Sequence, residues 1–136
     1  EHLQYAHRPL STRIPLRLEV ADLRLGIETA VPLGLIVNEL VSNAYKHGYG
    51  ADTVRGEIVL RAASLDDGRV RLEVADDGRG LPENFEPKSV TSLGMQLVVT
   101  LAAQLAGELR HRCEDGRTSF EILFRPEARE ADRLVA

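Results

Sequence analysis

The chain has no tryptophan and a single cysteine, Cys113, so no internal disulfide can staple it, which fits a reducing compartment. Nor is there a surplus of positive charge. Against 21 acidic residues stand 17 basic ones, a formal net charge of -4, and without a chain-wide basic field nucleic acid is not an expected partner. No apolar run approaches the roughly 20 residues of a membrane helix, and the opening EHLQYAHRPL lacks the pattern of a signal peptide. A cytoplasmic chain with no membrane in this segment is expected. Several chemical signatures are also missing. There is no G-x-x-x-x-G-K-[ST] loop and no G-x-S-x-G elbow, and His111 with Cys113 does not make a zinc spacing. DDGRGLP lacks the third glycine of a dinucleotide fingerprint and does not open a helix at once. The chain starts without Met and in mid-pattern, so a piece of a longer protein is expected.

What is present is an ordinary globular composition. Apolar residues make up 43% and charged residues 28% of 136 positions, enough for one domain with a single core. Residues 1–12 show no clear period and are expected to be a linker or the end of a preceding element, which places His2 and His7 outside the chemistry. RIPLRLEV alternates, with Ile14, Leu16, Leu18 and Val20 on one side and Arg17 and Glu19 on the other, the two-residue period of a half-buried strand. TAVPLGLIVNELVSNAYKHG then puts Leu33, Ile36, Val37, Leu40, Val41 and Ala44 on one helix face. Thr29 is its expected cap, Pro32 falls in its first turn and Gly48 suits its end.

GEIVLRA and RVRLEVAD flank SLDDG as a hairpin. The Gly- and Pro-rich DDGRGLPENFEPKSVTSLG reads as a long loop, of a length that usually carries function. A second helix, GMQLVVTLAAQLAG, carries Leu97, Leu101 and Leu105 at four-residue steps, with Gly107 beyond its end. ELRHRC, with His111, and TSFEILF, with Phe120, Ile122 and Phe124 inward, form another pair around EDGR. This order predicts an α+β fold of two layers, a mixed sheet of about five strands with helices on one face.

The stretch NELVSNAYKHG keeps unusual company for a helix. Glu39 and Asn43 lie about 40 degrees apart around the axis, with Lys46 and His47 a turn further on. A solvated face explains such a stripe, yet asparagine at 38 and 43 is a poor helix former for that purpose. The functional reading is that an amide oxygen and a carboxylate one turn apart hold a hydrated magnesium ion, with Lys46 neutralising phosphate charge. DDGRG admits two readings as well. It is either a simple turn or a backbone that a flat ring approaches closely past Gly78 and Gly80, with Asp76 accepting hydrogen bonds from an exocyclic amine. In SLGMQLV, Gly94 either breaks the loop or exposes N–H groups at a helix start for an anion.

Together and in this order, NELVSNAYKHG, DDGRGLP and SLGMQLV resemble the N, G1 and G2 boxes of the GHKL (Bergerat-fold) ATPases, which include DNA gyrase, ninety-kilodalton heat-shock chaperones and histidine kinases. The chain is most similar to the ATP-binding domain of bacterial sensor histidine kinases of the HWE-like branch, over residues 14–124. It departs from that pattern where Arg117 separates Gly116 from Thr118 and where the second glycine region lacks a WxE triplet. The resemblance implies a mostly antiparallel sheet, ATP and Mg2+ as cofactors, and residues 13–126 as the catalytic domain, with 127–136 a tail. By similarity Glu39 assists proton transfer or positions water near the γ-phosphate, Asn43 binds Mg2+, and Lys46 and His47 contact phosphates. Asp76 reads the adenine amine beside Gly78 and Gly80. Leu81 to Leu93 forms the ATP lid, Gly94 with the following turn receives phosphates, Leu81, Ser92, Leu93 and Met95 count among the ATP-binding residues, and Thr118 supports adenine.

The partners implied are a helical dimerisation domain bearing the phosphoacceptor His, a response regulator, and a second copy in a homodimer. Twelve residues cannot form that helical hairpin, so the acceptor lies elsewhere. Two alternatives share the fold: an anti-sigma-factor serine kinase, and a non-catalytic docking or phosphotransfer module.

Overall fold

The computed structural model describes residues 14–48, 56–78 and 92–126. In chain order these give β1 (Leu16–Val20), α1 (Ile27–Gly48), β2 (Ile58–Ser64), β3 (Val70–Asp76), α2 (Leu93–Gln104), β4 (Glu108–Glu114) and β5 (Arg117–Phe124), the predicted sequence of elements. The five strands form one sheet in the order β1-β2-β3-β5-β4. β1 runs parallel to β2, and every other pair is antiparallel. The parallel pair requires a crossover, which α1 supplies. At its far end the Tyr45 hydroxyl donates to the carbonyl of Ile14 (3.1 Å), so α1 returns along the sheet to where β1 begins.

Both helices cover one face. Leu33, Ile36, Leu40 and Val41 of α1 and Met95, Val98, Leu101 and Ala102 of α2 pack on Ile58, Leu60, Leu72, Val74, Ile122 and Phe124 of the sheet. Side chains of this size each contribute about 1.5–3 kcal/mol when fully buried. This is the two-layer α+β arrangement that the sequence predicted.

Local details differ. α1 starts two residues before the expected cap. Gly26 O accepts from the N–H groups of Thr29 (3.1 Å) and Ala30 (2.8 Å), while Thr29 itself is buried inside the first turn. Pro32 thus falls within the helix, in its second turn. Of the alternating set, Ile14 just before β1 and Leu16 at its start are buried; Leu18 and Val20 are 42% and 54% exposed, because an edge strand lies at the margin of what the helices cover. Along α2, Leu97 turns outward, since 400 degrees per four residues drifts off the axis of the stripe and Met95–Val98–Leu101–Ala102 is the buried set.

An alanine closes α2. The left-handed residue is Ala106 (φ 52°), not Gly107. Ala106 N–H bonds to Ala103 O and Gly107 N–H to Ala102 O, both at 2.9 Å, the paired bonds that close a helix end. Gly107 is needed for space, because a Cβ there would lie 3.1 Å from Ile122 Cγ1 and Leu123 O. The β4–β5 turn is a two-residue Asp115-Gly116 loop with φ 53° and 74°, the geometry that Asp-Gly favours.

On the uncovered face a row of charge crosses all five strands in register: Glu19, Arg61, Glu73, Glu121 and Arg110. Arg61 bridges Glu19 (2.8 Å) and Glu73 (3.3 Å), and Arg71 bridges Glu73 and Glu121. Among the described residues no helix is long and apolar enough to cross a membrane.

Candidate functional site

A second row, on the helix-facing side, ends the sheet: Leu16, Ile58, Asp76, Thr118 and Cys113 are register partners across the five strands. Its apolar half, Leu16 and Ile58, belongs to the core, and its polar half begins at Asp76. Asp76 and Thr118 are both buried, at 7% and 4% exposure, and stand directly opposite each other on β3 and β5. A buried carboxylate at a strand end is costly unless it is bonded. Asp76 Oδ1 accepts the N–H of Gly78 (2.9 Å) as the chain leaves the sheet. Burial raises the Asp76 carboxyl above its ordinary value, the Gly78 N–H pulls it back, the neighbouring Asp77 adds to the rise and Arg117 opposes it. The Thr118 hydroxyl lies 3.5 Å from Cys113 Sγ.

The C-terminal half of α1 lies at the same end of the sheet, since Tyr45 reaches Ile14 there. Asn43, half-buried, and Lys46, exposed, belong to that half, with Glu39 one turn before Asn43. His47 lies in α1, and its side chain falls outside the described residues. Glu39 meets α2: its carboxylate sits against the α-carbon of Gly94, so closely that a Cβ there would collide with Oε1. α2 has no acidic residue in its own first turn, and Glu39 brings a negative charge to its positive end. Ser92 caps this helix, its hydroxyl accepting the Met95 N–H (3.3 Å).

The predicted residues therefore fall into two described groups, Asp76–Gly78–Thr118 at the sheet end and Glu39–Gly94–Ser92 at the helix start, with Asn43 and Lys46 further along α1. Met95 turns its side chain into the core and gives its N–H to Ser92 Oγ, and Leu93 is 81% exposed. Gly80, Leu81 and the rest of the expected lid up to residue 91 lie outside the described residues.

The family model for histidine kinase-, DNA gyrase B- and HSP90-like ATPases matches residues 28–128. The chain belongs to this family. ATP is accordingly the nucleotide of the fold. The chain is 32% identical over 96 residues to blue-light-activated histidine kinase 2 of Erythrobacter litoralis, covering 71% of this chain and 28% of that protein. To sensor histidine kinase PdtaS of Mycobacterium tuberculosis it is 35% identical over 122 residues, 85% of this chain and 23% of that protein. It thus spans about a quarter of these relatives. The solved histidine kinase domain of the Erythrobacter litoralis EL346 blue-light activated kinase superposes with a TM-score of 0.82 at 26% identity, over 96% of this chain and 58% of that one. The two-layer architecture of this ATPase family is therefore the architecture found here.

Sequence reasoning passed over two residues at this site. Asp77 reads as a turn residue, yet its Oδ1 accepts the N–H of Glu57 at the start of β2 (2.9 Å). Cys113 reads as a lone thiol, yet the pairing of β4 with β5 sets it opposite Thr118. The Asp77–Glu57 relation is not local in sequence, whereas the Cys113–Thr118 pairing follows from the hairpin register counted outward from the Asp115-Gly116 turn.

Proposed function

We propose that residues 13–126 form the ATP-binding catalytic domain of a two-component sensor histidine kinase, with 1–12 as linker and 127–136 as tail. In this reading it works in the cytoplasm, within a homodimer, and passes the γ-phosphoryl group of MgATP to a His on a separate helical domain and thence to a response-regulator Asp. The observation that carries the reading is the pairing of a buried, bonded Asp76 with Thr118 at the same end of the sheet as the polar half of α1. An isolated carboxylate there would be a cost without return; an adenine amine offers it a donor.

In this reading Asp76 accepts the exocyclic amine of adenine, Gly78 and Gly80 let the ring approach, Leu81 begins the lid, and Thr118 supports the ring. Asn43 and Glu39 offer hard oxygens one turn apart, a donor set that suits Mg2+, which keeps several waters and takes others from phosphate. Among the described residues no three carboxylate, imidazole or thiol groups converge, so such an ion would depend on the nucleotide for further ligands. Bound there, it would neutralise charge on the phosphates. Lys46 and His47 add positive charge and hydrogen bonds, and the N–H groups of Leu93 and Gly94 with the Ser92 hydroxyl receive phosphate oxygens at the start of α2, a turn that the Met95 N–H bond to Ser92 holds in shape. Glu39 assists the proton leaving the acceptor imidazole. Positioning and charge neutralisation then carry most of the rate.

The test is Mg2+-dependent ATP binding by calorimetry, followed by transfer of labelled phosphate to a separately prepared acceptor hairpin. Acid-labile label on its His is the expected result, with Asp76→Asn weakening binding and Asn43→Ala removing the Mg2+ dependence. Label on a Ser of a sigma-factor antagonist instead would favour the anti-sigma kinase, and absence of ATP binding would favour a non-catalytic module.

A further inference from the structure

Asp77 ends the β2–β3 ladder in an unusual way. The last register pair is Ile58 with Asp76. Ile58 sends its N–H to Pro15 O (3.0 Å), toward β1, so the N–H of Glu57, one residue earlier, faces β3. A continued ladder would give that N–H the main-chain carbonyl of Asp77. It goes instead to the Asp77 side chain, at 2.9 Å. With its carboxylate replacing its own carbonyl as acceptor, Asp77 stays tied to β2 while its main chain is released from the pleat. The released chain turns within one residue, which brings the Gly78 N–H back onto Asp76 Oδ1. Glu57 is held from the other side as well, by Arg17 Nη2 (3.1 Å).

We propose that Asp77 is a positioning residue for base recognition: by accepting the Glu57 N–H it stops the ladder one residue past Asp76, fixing the turn that occupies one Asp76 oxygen and directs the other at an exocyclic amine. This rests on the reading of Asp76 as the adenine contact. It assigns to the second aspartate of DDGRG a role in choosing the base, without contact to the base itself. An acceptor atom is required there; a charge is not.

Calorimetry at pH 8 with MgATP and MgITP, which carries a carbonyl in place of the adenine amine, separates positioning from general damage. The parent is expected to prefer ATP by about tenfold or more, because an unpaired polar group is left when the amine is missing. Asp77→Ala should lose most of that preference, with ATP weakened about tenfold and ITP changed less than about threefold. Asp77→Asn, whose amide oxygen still accepts, should retain it. Glu57→Pro removes the donor at a strand start, where proline is tolerated, and should act like Asp77→Ala. Glu57→Ala keeps the N–H and should act like the parent. An unchanged ATP/ITP ratio in both Asp77→Ala and Glu57→Pro overturns the proposal, as does an Asp77→Asn as impaired as Asp77→Ala. A parent that binds ATP and ITP alike overturns the Asp76 reading itself, and the tether with it.

Discussion

The carboxylate of Glu39 rests on the α-carbon of Gly94, joining the middle of α1 to the first turn of α2. The absent side chain at 94 is thus matched to a neighbouring residue as well as to any bound phosphate. Because the colliding atom is the free end of a flexible chain, Gly94→Ala should fold normally, within about 1 kcal/mol of the parent, since alanine is also the better helix former. What it should change is the position of Glu39. On the proposed role of Glu39 in phosphoryl transfer, the transfer rate is expected to fall by about tenfold to a hundredfold when that carboxylate is displaced. In a Glu39→Ala background the same change should cost little more, and a double-mutant cycle on transfer rate and on urea unfolding checks both statements. Additive losses would mean that glycine serves something other than Glu39.

Asp76 yields a pH prediction. Burial raises its carboxyl above the ordinary aspartate value. The folded state therefore holds this proton more tightly than the unfolded chain, and the associated stability is present below the unfolded value and lost as pH rises through the folded one. Asp76→Asn removes that loss and keeps an oxygen for the Gly78 N–H, so at neutral pH it should unfold at equal or higher urea concentration than the parent. Binding should move the opposite way. With the ionised carboxylate as the acceptor proposed for the adenine amine, ATP affinity of the parent should decline on acidification before an ordinary aspartate would titrate. In Asp76→Asn that part of the pH profile should vanish, measured by calorimetry between neutral pH and the acid limit of the fold.

A left-handed alanine closes α2. Ala106 holds φ 52° where glycine has no steric cost. Ala106→Gly should stabilise the chain by roughly 0.5–1 kcal/mol, the relief of the strained backbone less the added freedom of the unfolded state. In thermal melts that is a rise of about 2–5 °C in Tm. Gly107→Ala should go the other way by about 1–2 kcal/mol, since its Cβ would press on Ile122 and Leu123.

These cases also mark where the sequence is legible. Alternation in RVRLEVAD and the Asp115-Gly116 turn are local signals, so strands, hairpins and the inward set Phe120, Ile122 and Phe124 can be read directly, and the structure places them in order. Whether Leu18 and Val20 are covered depends on how far the helices extend over an edge strand, which no local period encodes. That position 107 has no room for a side chain is decided by the crowding of β5 against the helix end. At the site, residue types nominate Glu39, Asn43 and Asp76. The Glu39–Gly94 contact and the Asp77 tether join residues distant in sequence, and only the packed chain brings them together.

The uncovered face carries the last prediction. Glu73 and Glu121 are direct register partners on β3 and β5, both with more than nine-tenths of their surface buried, and like charges so placed repel. Arg71 lies between them and pairs with both. Of this carboxylate pair Arg61 reaches only Glu73 (3.3 Å) and Arg110 only Glu121 (3.9 Å), and each is also engaged elsewhere, by Glu19 and Glu108, so they do not take over the bridging role. Arg71→Met keeps the apolar stem and removes the charge, and it should cost about 2 kcal/mol in urea unfolding, below the range for a fully buried pair because Arg71 is partly solvated. Replacing Glu121 by Gln in that background removes the repulsion and should recover about half of the loss. If Arg71→Met alone unfolds like the parent, the two flanking arginines suffice and the bridge contributes no stability of its own.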